Sequence, residues 1–492
     1  MTETAKKKRG MPSSFTILLA LLAIVAVITV IVSGTSGGAV TAARLSDFCT
    51  APILGFADAL PVCLFVMILG GFLGMMTETG ALDNGIAVLV QKLKGNEIML
   101  IPVLMLIFSL GGTTYGMCEE TVPFYALLAA TMMAAGFDPM VGAATVLLGA
   151  GCGCLGSTVN PFAVGAAVDA LTGVDIAVNQ SIIIGLGAVL WIVTTAMSIF
   201  FVMSYAKKVK ADKGSTILSM QELKDAEEAH GKAASEVHKE VKLTGRQKGV
   251  LIAFAFTFVV MIVGFIPLAD LNEGVANFFD AGAVYDADGN AVVQGWSALI
   301  TGLPIGQWYF DEASTWFFLM AILIGIIGGL SEKQIVNTFI TGAADMMSVV
   351  LVIALARGIS VLMASTGLDV YVLDAAANAL AGLSGVIFAP MSFLVYFGLS
   401  FLIPSTSGMA TVSMPIMGPL AVKLGFSPEV MVMIFSAAIG VVNLFTPTSG
   451  AIMGGLALAK IEWTTWLKFA LKLIVALSVV CAIILTVACV ML

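Results

Sequence analysis

The sequence predicts an all-α protein that crosses a lipid bilayer many times and contains two inverted repeats. Three observations support this prediction: a very apolar composition, a one-sided distribution of Lys and Arg, and five sets of short motifs that recur in the same order. Of the 492 residues, 59% are hydrophobic and only 11% are charged. Soluble proteins average about 45–50% apolar and about 25% charged residues, so the composition excludes a soluble globular protein.

Composition and motifs also exclude several classes of function. The formal net charge is −8, so a nucleic-acid partner is not expected. The sequence contains no Walker loop, no zinc-protease motif and no His within an apolar run, which argues against a primary pump or an intramembrane metalloprotease. Without a catalytic constellation, the protein is predicted not to be an enzyme and to use no cofactor. Cys152 and Cys154 have no His nearby and are interpreted as small buried residues.

The apolar runs define the predicted spans, because a helix needs about 20 apolar residues to cross a bilayer core about 30 Å thick. The runs are 14–36, 57–77, 139–172, 179–205, 247–268, 314–331, 347–364, 428–460 and 464–491. Two further stretches, 97–135 and 384–424, have small and polar residues at their centres and are predicted to be re-entrant hairpins. The runs 139–172 and 428–460 are predicted to be broken helices. The expected architecture is therefore about nine crossings, two hairpins and two broken helices.

Lys and Arg fall almost entirely on one side of this arrangement. All 23 of them lie on that side except Arg44, Arg357 and Lys423, and the positive-inside rule assigns the side to the cytoplasm. The predicted divisions are a cytoplasmic tail (1–13), a first repeat (14–205), a cytoplasmic linker (206–246) and a second repeat (247–492). An acidic loop, 269–313, faces outward.

Two features of the loops have simple interpretations. His230 and His238 lie in the charged linker and are expected to be solvated. Asp286, Asp288 and Asn290 resemble a calcium loop but lack the downstream Glu of an EF-hand, so a β-hairpin turn is expected there instead.

Short motifs of the first repeat recur in the second at nearly constant offsets. The matched sets are Gly55 and Asp58 with Gly342 and Asp345, Thr79-Gly80 with Thr366-Gly367, Thr114, Gly116 and Pro123 with Thr406, Gly408 and Pro415, Gly136 and Pro139 with Gly425 and Pro428, and Pro161 with Pro447. Because the span 57–77 runs inward and its partner 347–364 runs outward, the repeat is predicted to be inverted. Inverted repeats place a shared site at the midplane, where it can be presented to either face.

Polar interruptions of the two hairpins and the two broken helices form the candidate site. Irregular backbone is tolerated at membrane depth only where protein buries it or where it lines a cavity. Free helix N-termini suit an anionic group, whereas helix C-termini and hydroxyls suit a cation such as Na⁺. Close helix packing is the alternative explanation, but it does not explain four interruptions related in pairs. The candidate substrate-binding residues are Thr113, Thr114, Gly116, Glu119, Glu120, Ser157, Thr158, Asn160, Arg357, Ser405, Thr406, Ser407, Gly408, Thr446, Thr448 and Ser449. The candidate Na⁺ ligands are Thr114, Glu119 and Asn160 in one half, and Thr406, Asn443 and Thr448 in the other.

Ionisable side chains within apolar runs are costly and indicate function by default. Glu119 and Glu120 could attract a cationic substrate, bind Na⁺ or carry a proton, and capping of the second hairpin arm is the structural alternative. Arg357 could hold a substrate carboxylate bidentately, or it could neutralise Asp345 or Glu119. Asp58 and Asp345 lie at the ends of spans, where capping at the interface is expected.

Several of these segments together resemble the YfcC/ArcD-like family of bacterial inner-membrane carriers. They are 95–102, 108–112, 116–120, 160–161, 405–408, 414–415 and 447–449. The resemblance covers nearly the whole chain and implies membership of the ion-transporter superfamily, which includes carriers for dicarboxylates and for aminobenzoyl-glutamate. It implies a homodimeric scaffold, mobile transport domains and an elevator-like motion in the bacterial inner membrane. The segments 157–160 and 446–449 depart from the Ser-Asn-Thr signature of the dicarboxylate branch.

The combined expectation is a secondary active transporter of a small amino acid. Members of the resembled family are described as basic amino acid antiporters of the arginine/ornithine type or as C4-dicarboxylate carriers, and a basic amino acid is the first candidate here. Exchange, or symport with Na⁺ or H⁺, would drive transport. A Na⁺-coupled carrier of dicarboxylates or short-chain carboxylates is the second candidate, and a channel is the alternative of another class.

Overall fold

The computed structural model describes residues 14–82, 84, 85, 88, 96–236, 242–266, 268, 273–285, 291–403 and 405–492. Eight described helices are long and apolar enough to cross a membrane, and the chain is an all-α polytopic membrane protein, as predicted. The predicted cytoplasmic tail 1–13 lies outside the described residues, as do His238, Asp286, Asp288, Asn290 and Pro404.

The helices of the first half follow the apolar runs, with two additions. They are α1 (Ser14–Ser33), α2 (Leu45–Asp58), α3 (Leu60–Glu78), α4 (Leu100–Tyr115), α5 (Val122–Ala134), α6 (Pro139–Leu155), α7 (Ala166–Thr172), α8 (Gln180–Ala211) and α9 (Met220–Glu236). Helices α4 and α5 are the arms of the first hairpin. The additions are α2, which precedes a predicted span, and α9, which lies in the linker.

The second half repeats this order after two connecting helices. Its helices are α10 (Gly245–Phe265), α11 (Glu273–Phe279), α12 (Phe310–Gly328), α13 (Glu332–Asp345), α14 (Met347–Thr366), α15 (Leu368–Leu380), α16 (Gly385–Leu402), α17 (Thr406–Lys423), α18 (Pro428–Val442), α19 (Gly450–Leu458) and α20 (Trp463–Met491). Helices α16 and α17 are the arms of the second hairpin. Strands β1 (Val284–Tyr285) and β2 (Ala291–Val293) pair antiparallel on either side of 286–290.

The helices pack into two bundles. The first, called the α3/α14 bundle, consists of α1, α2, α3, α10, α12, α13 and α14. The second, called the α6/α18 bundle, consists of the two hairpins, the helices α6, α7, α18 and α19, and the long helices α8 and α20. The bundles meet chiefly where α19 packs on α14, and a Cβ added to Gly450 of α19 would lie closer than 3.0 Å to the Ile353 side chain of α14.

Contacts between helices are exchanged between the two halves of the chain. Helix α2 packs on α14 as α13 packs on α3, and α5 packs on α19 as α17 packs on α7. The first pair of crossings depends on glycines 287 residues apart: a Cβ on Gly55 would lie 2.7 Å from Gly358 Cα, and one on Gly342 would lie 3.0 Å from Gly71 Cα. This exchange is what a two-fold relation between the halves requires.

The linker is docked on the α6/α18 bundle. Helix α9 packs on α5, and the Glu222 carboxylate accepts a hydrogen bond from the Glu462 N–H at 2.9 Å. His230 is buried, and its Nε2 lies 3.0 Å from the Leu458 carbonyl oxygen. The expectation that His230 is solvated is therefore wrong, and burial lowers the pKa of its imidazole. Apolar packing of α9 outweighs the high charge of the linker, which is the reason for the error.

Candidate functional site

Two interrupted helices cross at the centre of the α6/α18 bundle. Helix α6 ends at Leu155, and the chain resumes helical structure with a π-helical turn at Pro161–Gly165 that leads into α7. Helix α18 ends at Val442, and α19 begins at Gly450. A Cβ on Gly440 of α18 would lie closer than 3.0 Å to Leu155 Cα, so the two helices touch through backbone next to their interruptions.

The tip of the first hairpin is hydrogen-bonded to the segment that links α6 and α7. The Thr158 N–H donates to the Thr113 carbonyl oxygen at 2.9 Å, and the Thr113 hydroxyl donates to the Gly156 carbonyl oxygen at 2.6 Å. Gly116 ends α4 in the left-handed region, with a φ of 81°. A Cβ there would lie 2.6 Å from Asn160 Oδ1, so only glycine fits between this tip and Asn160.

Asn160 organises the start of the second part of the first broken helix. Its Oδ1 accepts the N–H groups of Phe162 at 2.9 Å and Ala163 at 3.3 Å. Its Nδ2 donates to Ser157 Oγ at 2.9 Å, and Ser157 Oγ in turn donates to the Cys154 carbonyl oxygen. The amide therefore caps the restarted helix, which leaves little freedom for its side chain.

The tip of the second hairpin is bonded differently. Ser405 Oγ accepts the Gly408 N–H at 3.1 Å and so caps α17. The second hairpin contacts the link between α18 and α19 through aromatic rings, with the ring centroids of Phe401 and Phe445 5.6 Å apart. Within that link, the hydroxyls of Thr446 and Thr448 bond each other at 2.7 Å. In the part of the chain that the structure describes, hydrogen bonds of this tip stay within the hairpin.

A cavity of about 290 Å³ lies between the hairpin tips, the interrupted helices and the α3/α14 bundle. Its charged lining residues are Asp58, Glu119, Glu120 and Arg357. Three carboxyl groups therefore face one guanidinium, and the remaining wall is largely apolar or carries hydroxyl and amide groups. Such a cavity can hold one small polar molecule.

The structure brings most of the predicted site residues to this cavity. Those that line it are Gly116, Glu119, Glu120, Asn160, Arg357, Ser405, Thr406, Ser407, Thr448 and Ser449, together with Asn443. Thr113, Thr114, Ser157, Thr158, Gly408 and Thr446 lie outside its lining. Thr114 donates to the Leu110 carbonyl oxygen of its own helix at 2.7 Å. Of the two candidate Na⁺ sets, only Thr406, Asn443 and Thr448 all line the cavity.

Asp58 is the residue whose predicted place is wrong. It lies at the break between α2 and α3, which are separated by Ala59 alone, and its Oδ2 is 3.2 Å from Arg357 Nε. Pro61 at the start of α3 has no N–H to bond the Ala57 carbonyl oxygen, so the helix is interrupted there. Asp58 thus faces the middle of α14 within the cavity, and it does not cap a helix at the membrane interface. Arg357 pairs with Asp58 and not with Asp345.

The two glutamates at the first hairpin tip have different surroundings. Glu120 is only 1% exposed, and its carboxylate accepts the Cys118 N–H at 3.0 Å. Glu119 is half-buried and lines the same cavity as Arg357. Glu120 therefore binds a backbone N–H ahead of the short turn Glu119–Thr121, and no side-chain hydrogen bond caps the described start of the second arm at Val122. Glu119 is the more accessible of the two carboxyl groups.

Sequence reasoning missed several apolar and sulfur-containing members of the lining, among them Tyr125, Phe162, Phe310, Cys118 and Cys154. Cys154 Sγ donates to the Met117 carbonyl oxygen at 3.4 Å, whereas Cys152 Sγ lies 3.0 Å from Ser198 Oγ. The two cysteines thus have separate partners. Opposite charges within apolar runs of the two halves were the one sequence signal that could have paired Asp58 with Arg357.

A polytopic helical protein with a polar cavity between two bundles has the structural features of a membrane transporter. Comparison with known proteins identifies the particular kind: the chain belongs to the DcuC family, described as C4-dicarboxylate anaerobic carriers, whose family model matches residues 11–490. This agrees with the resemblance to a carrier family found in the sequence.

Two individual relatives are less than 30% identical to this chain. An uncharacterized protein of Haemophilus influenzae is 29% identical over 445 residues, covering 90% of this chain and 78% of the relative. YfcC of Escherichia coli, provisionally named a basic amino acid antiporter, is 27% identical over 440 residues, covering 87% of this chain and 77% of YfcC. Among solved structures, the YdaH transporter of Alcanivorax borkumensis is 15% identical, with a TM-score of 0.46 over 97% of this chain and 98% of YdaH.

Proposed function

We propose that this chain is a secondary active transporter of a basic amino acid, working by exchange or with Na⁺ or H⁺ coupling. The observation that carries the proposal is the charge of the cavity: Asp58, Glu119 and Glu120 against Arg357 alone. Because Arg357 is paired with Asp58 and the buried Glu120 accepts the Cys118 N–H, Glu119 is the carboxyl group left to attract a cation. A dianionic substrate would instead meet a net negative wall.

The relative YfcC supports the same substrate class by its provisional name. The cationic end of the substrate would face Glu119, and its carboxylate would face Arg357 and the N-terminus of α17. If Na⁺ drives transport, Thr406, Asn443 and Thr448 are the ligands that share the cavity. If H⁺ drives it, Glu119 or Glu120 would carry the proton.

The mechanism proposed with this function is an elevator motion. The α3/α14 bundle would be the static scaffold and the dimer interface, and the α6/α18 bundle would move past it with the substrate. The two bundles have separate helix packing and meet mainly at α14 and α19, which supports such a division. The proposed setting is the bacterial inner membrane, with the N-terminus and the linker in the cytoplasm and the chain as a homodimer.

A carrier of C4-dicarboxylates is the second candidate. The description of the family favours it, and so does the guanidinium of Arg357, which lies in the cavity wall and could bind a carboxylate bidentately. In this alternative one or more of the three cavity carboxyl groups would have to be neutral or bound to Na⁺.

Transport by the purified protein in liposomes separates the candidates. Vesicles loaded with unlabelled arginine or ornithine should accumulate radiolabelled arginine by counterflow, and vesicles loaded with succinate should not accumulate radiolabelled succinate. Replacing Glu119 by Gln should weaken the apparent affinity for arginine by about 10-fold or more, because a charge-assisted contact is lost. Failure of arginine to move under any gradient or counter-substrate would contradict the proposal.

Asp169→Asn provides the matched control. Asp169 is on α7, is exposed and lies outside the cavity lining, so removing its charge should leave the affinity unchanged. Equal losses in the two variants would show that the effect of Glu119→Gln is not a contact with the substrate. Flux far faster than alternating access allows, seen in single-channel recording, would favour a channel.

A further inference from the structure

The ion pair between Asp58 and Arg357 presents one positive and one negative group side by side in the cavity wall. The Asp58 Oδ2 to Arg357 Nε distance is 3.2 Å, and the side chains are 50% and 27% exposed. Both residues belong to the α3/α14 bundle and line the cavity. Glu119, at the first hairpin tip of the α6/α18 bundle, lines the same cavity.

The helix crossing around this pair does not require the pair. Residues 287 apart make the same crossing a second time, between α13 and α3, where Asp345 matches Asp58 and Gly70 matches Arg357. Glycine cannot pair with Asp345, yet the crossing forms with equally close backbone contact. The ion pair is thus present at one of the two equivalent crossings, between α2 and α14. That crossing borders the cavity.

Arg357 also keeps unused hydrogen-bonding capacity. A guanidinium carries five N–H donors. Within the described residues, Arg357 makes the ion pair through Nε and forms no hydrogen bond. Its two terminal nitrogens are the part of the group that binds a carboxylate bidentately. A carboxylate can therefore be added to this pair without displacing Asp58.

We propose that Asp58 and Arg357 together bind the α-amino-acid head group of the substrate. The α-carboxylate binds the terminal nitrogens of Arg357, and the α-ammonium binds Asp58. Glu119, which lines the same cavity from the first hairpin tip, then binds the cationic end of the side chain. This inference rests on the proposed function and adds to it: the site requires a free α-carboxylate and a free α-ammonium as well as a distal cation.

Analogues of arginine that lack one group test the assignment. Agmatine has no carboxylate, and N-acetyl-arginine has no free α-ammonium. In the wild-type protein, each should compete for radiolabelled arginine counterflow at least about 10-fold more weakly than arginine, the ratio expected for one lost charged contact. Competition by either analogue as strong as that of arginine would overturn the inference without any variant.

Substitutions then assign each contact. Arg357→Gln should bring arginine and agmatine to similar potency while keeping the preference for arginine over N-acetyl-arginine. Asp58→Asn should bring arginine and N-acetyl-arginine to similar potency while keeping the preference for arginine over agmatine. Asp345→Asn removes the matching exposed carboxylate outside the cavity and should change neither ratio. Unchanged ratios in both Arg357→Gln and Asp58→Asn would contradict the inference.

A double variant and two wild-type results distinguish failure of the head-group assignment from failure of the proposed function. If a single variant is too unstable to purify, Asp58→Asn with Arg357→Gln removes both charges together and should lose both preferences. If wild-type protein transports no basic amino acid, the proposed function itself fails. If it transports arginine but accepts agmatine equally well, only the head-group assignment fails.

Discussion

Glycine residues at the crossing of α4 and α6 allow two backbones to touch. A Cβ on Gly153 of α6 would lie closer than 3.0 Å to the Ser109 carbonyl oxygen, and one on Gly112 of α4 would lie equally close to the Ala150 carbonyl oxygen. Because backbone cannot move aside as a side chain can, Gly153→Ala should lower the free energy of unfolding by about 1–3 kcal/mol. Thermal unfolding of the purified protein in detergent measures this change.

Gly398→Ala is the control for that prediction. Gly398 lies within α16, and an added Cβ would meet no atom within 4 Å. Alanine there should be neutral or should stabilise the protein by about 0.5–1 kcal/mol, because glycine loses more conformational entropy in a helix. A similar loss of stability in both variants would contradict the assignment of the α4–α6 crossing.

At the residue scale, local sequence identified the charged side chains of the cavity better than it identified their partners. A charge within an apolar run is conspicuous, so Glu119, Glu120 and Arg357 could be found from the sequence alone. The role of Asp58 depends on the break at Ala59 and on the helix that crosses it, 299 residues further along the chain at Arg357. Such long-range contacts leave no local pattern, which is also why burial of His230 against Leu458 was not foreseen.

At the scale of elements, the two hairpins contact their broken helices in different ways. The first tip is hydrogen-bonded to its broken helix through Thr113 and Thr158, and linker helix α9 packs on its second arm. The second tip meets its broken helix through the Phe401 and Phe445 rings, and ring contacts slide more easily than hydrogen bonds break. We therefore expect the second hairpin to move when substrate enters, while the first hairpin stays fixed.

Crosslinking tests this difference. Thr113 Oγ1 and Thr158 Oγ1 are 3.3 Å apart, so cysteines at both positions should form a disulfide. Oxidation should leave the arginine counterflow of that double variant equal to its own reduced value. Cysteines at Phe401 and Phe445, bridged by a short bifunctional thiol reagent, should stop counterflow. Wild-type protein treated with the same reagents controls for the native cysteines, and inhibition by the first crosslink alone would contradict the expectation.

Gly, Pro and polar residues marked the helix ends at the candidate site, whereas apolar length alone did not. That the two hairpins are re-entrant stays a prediction. The first hairpin was expected at 97–135, and its helices run from the short turn Glu97–Met99 to Ala134. By length and composition, its first arm also qualifies as a complete span. Polar residues at the tip distinguish a hairpin from a span. Helix α13 was not predicted, because its sequence is polar. Its packing on α3 depends on contacts that form only in the folded chain.

At the scale of the whole molecule, the contacts exchanged between the two halves include one between residues that are equivalent in the repeat. Cys63 and Val350 are 287 residues apart, and the Cys63 thiol lies 3.9 Å from the Val350 carbonyl oxygen. A residue that contacts its own repeat equivalent must lie close to the axis that relates the halves. The cavity begins a short way from this contact, since Pro61, Val62 and Ile353 line it. A two-fold axis relating the halves would therefore pass beside the candidate site, as the proposed presentation of the site to either face requires.

Whether that axis lies in the membrane plane decides whether the halves are inverted. Inversion predicts that the loops at Gly136 and Gly425 face opposite sides. Both glycines follow the second arm of a hairpin, with φ of 87° and 81°, and an added Cβ meets no atom within 4 Å at either. Cysteine should therefore cost a similar amount at each, about 1–2 kcal/mol for the left-handed conformation.

The Gly136 loop should face the cytoplasm, because Asp138 accepts a hydrogen bond from Thr216 of the linker at 2.7 Å. With the exposed Cys49 replaced by Ser, an impermeant maleimide should label Gly425→Cys in intact cells and Gly136→Cys only in inverted vesicles. Labelling of both cysteines from one side would place the halves parallel. Inverted repeats are the arrangement that presents one shared cavity to either face, so a parallel arrangement would contradict the proposed transport mechanism.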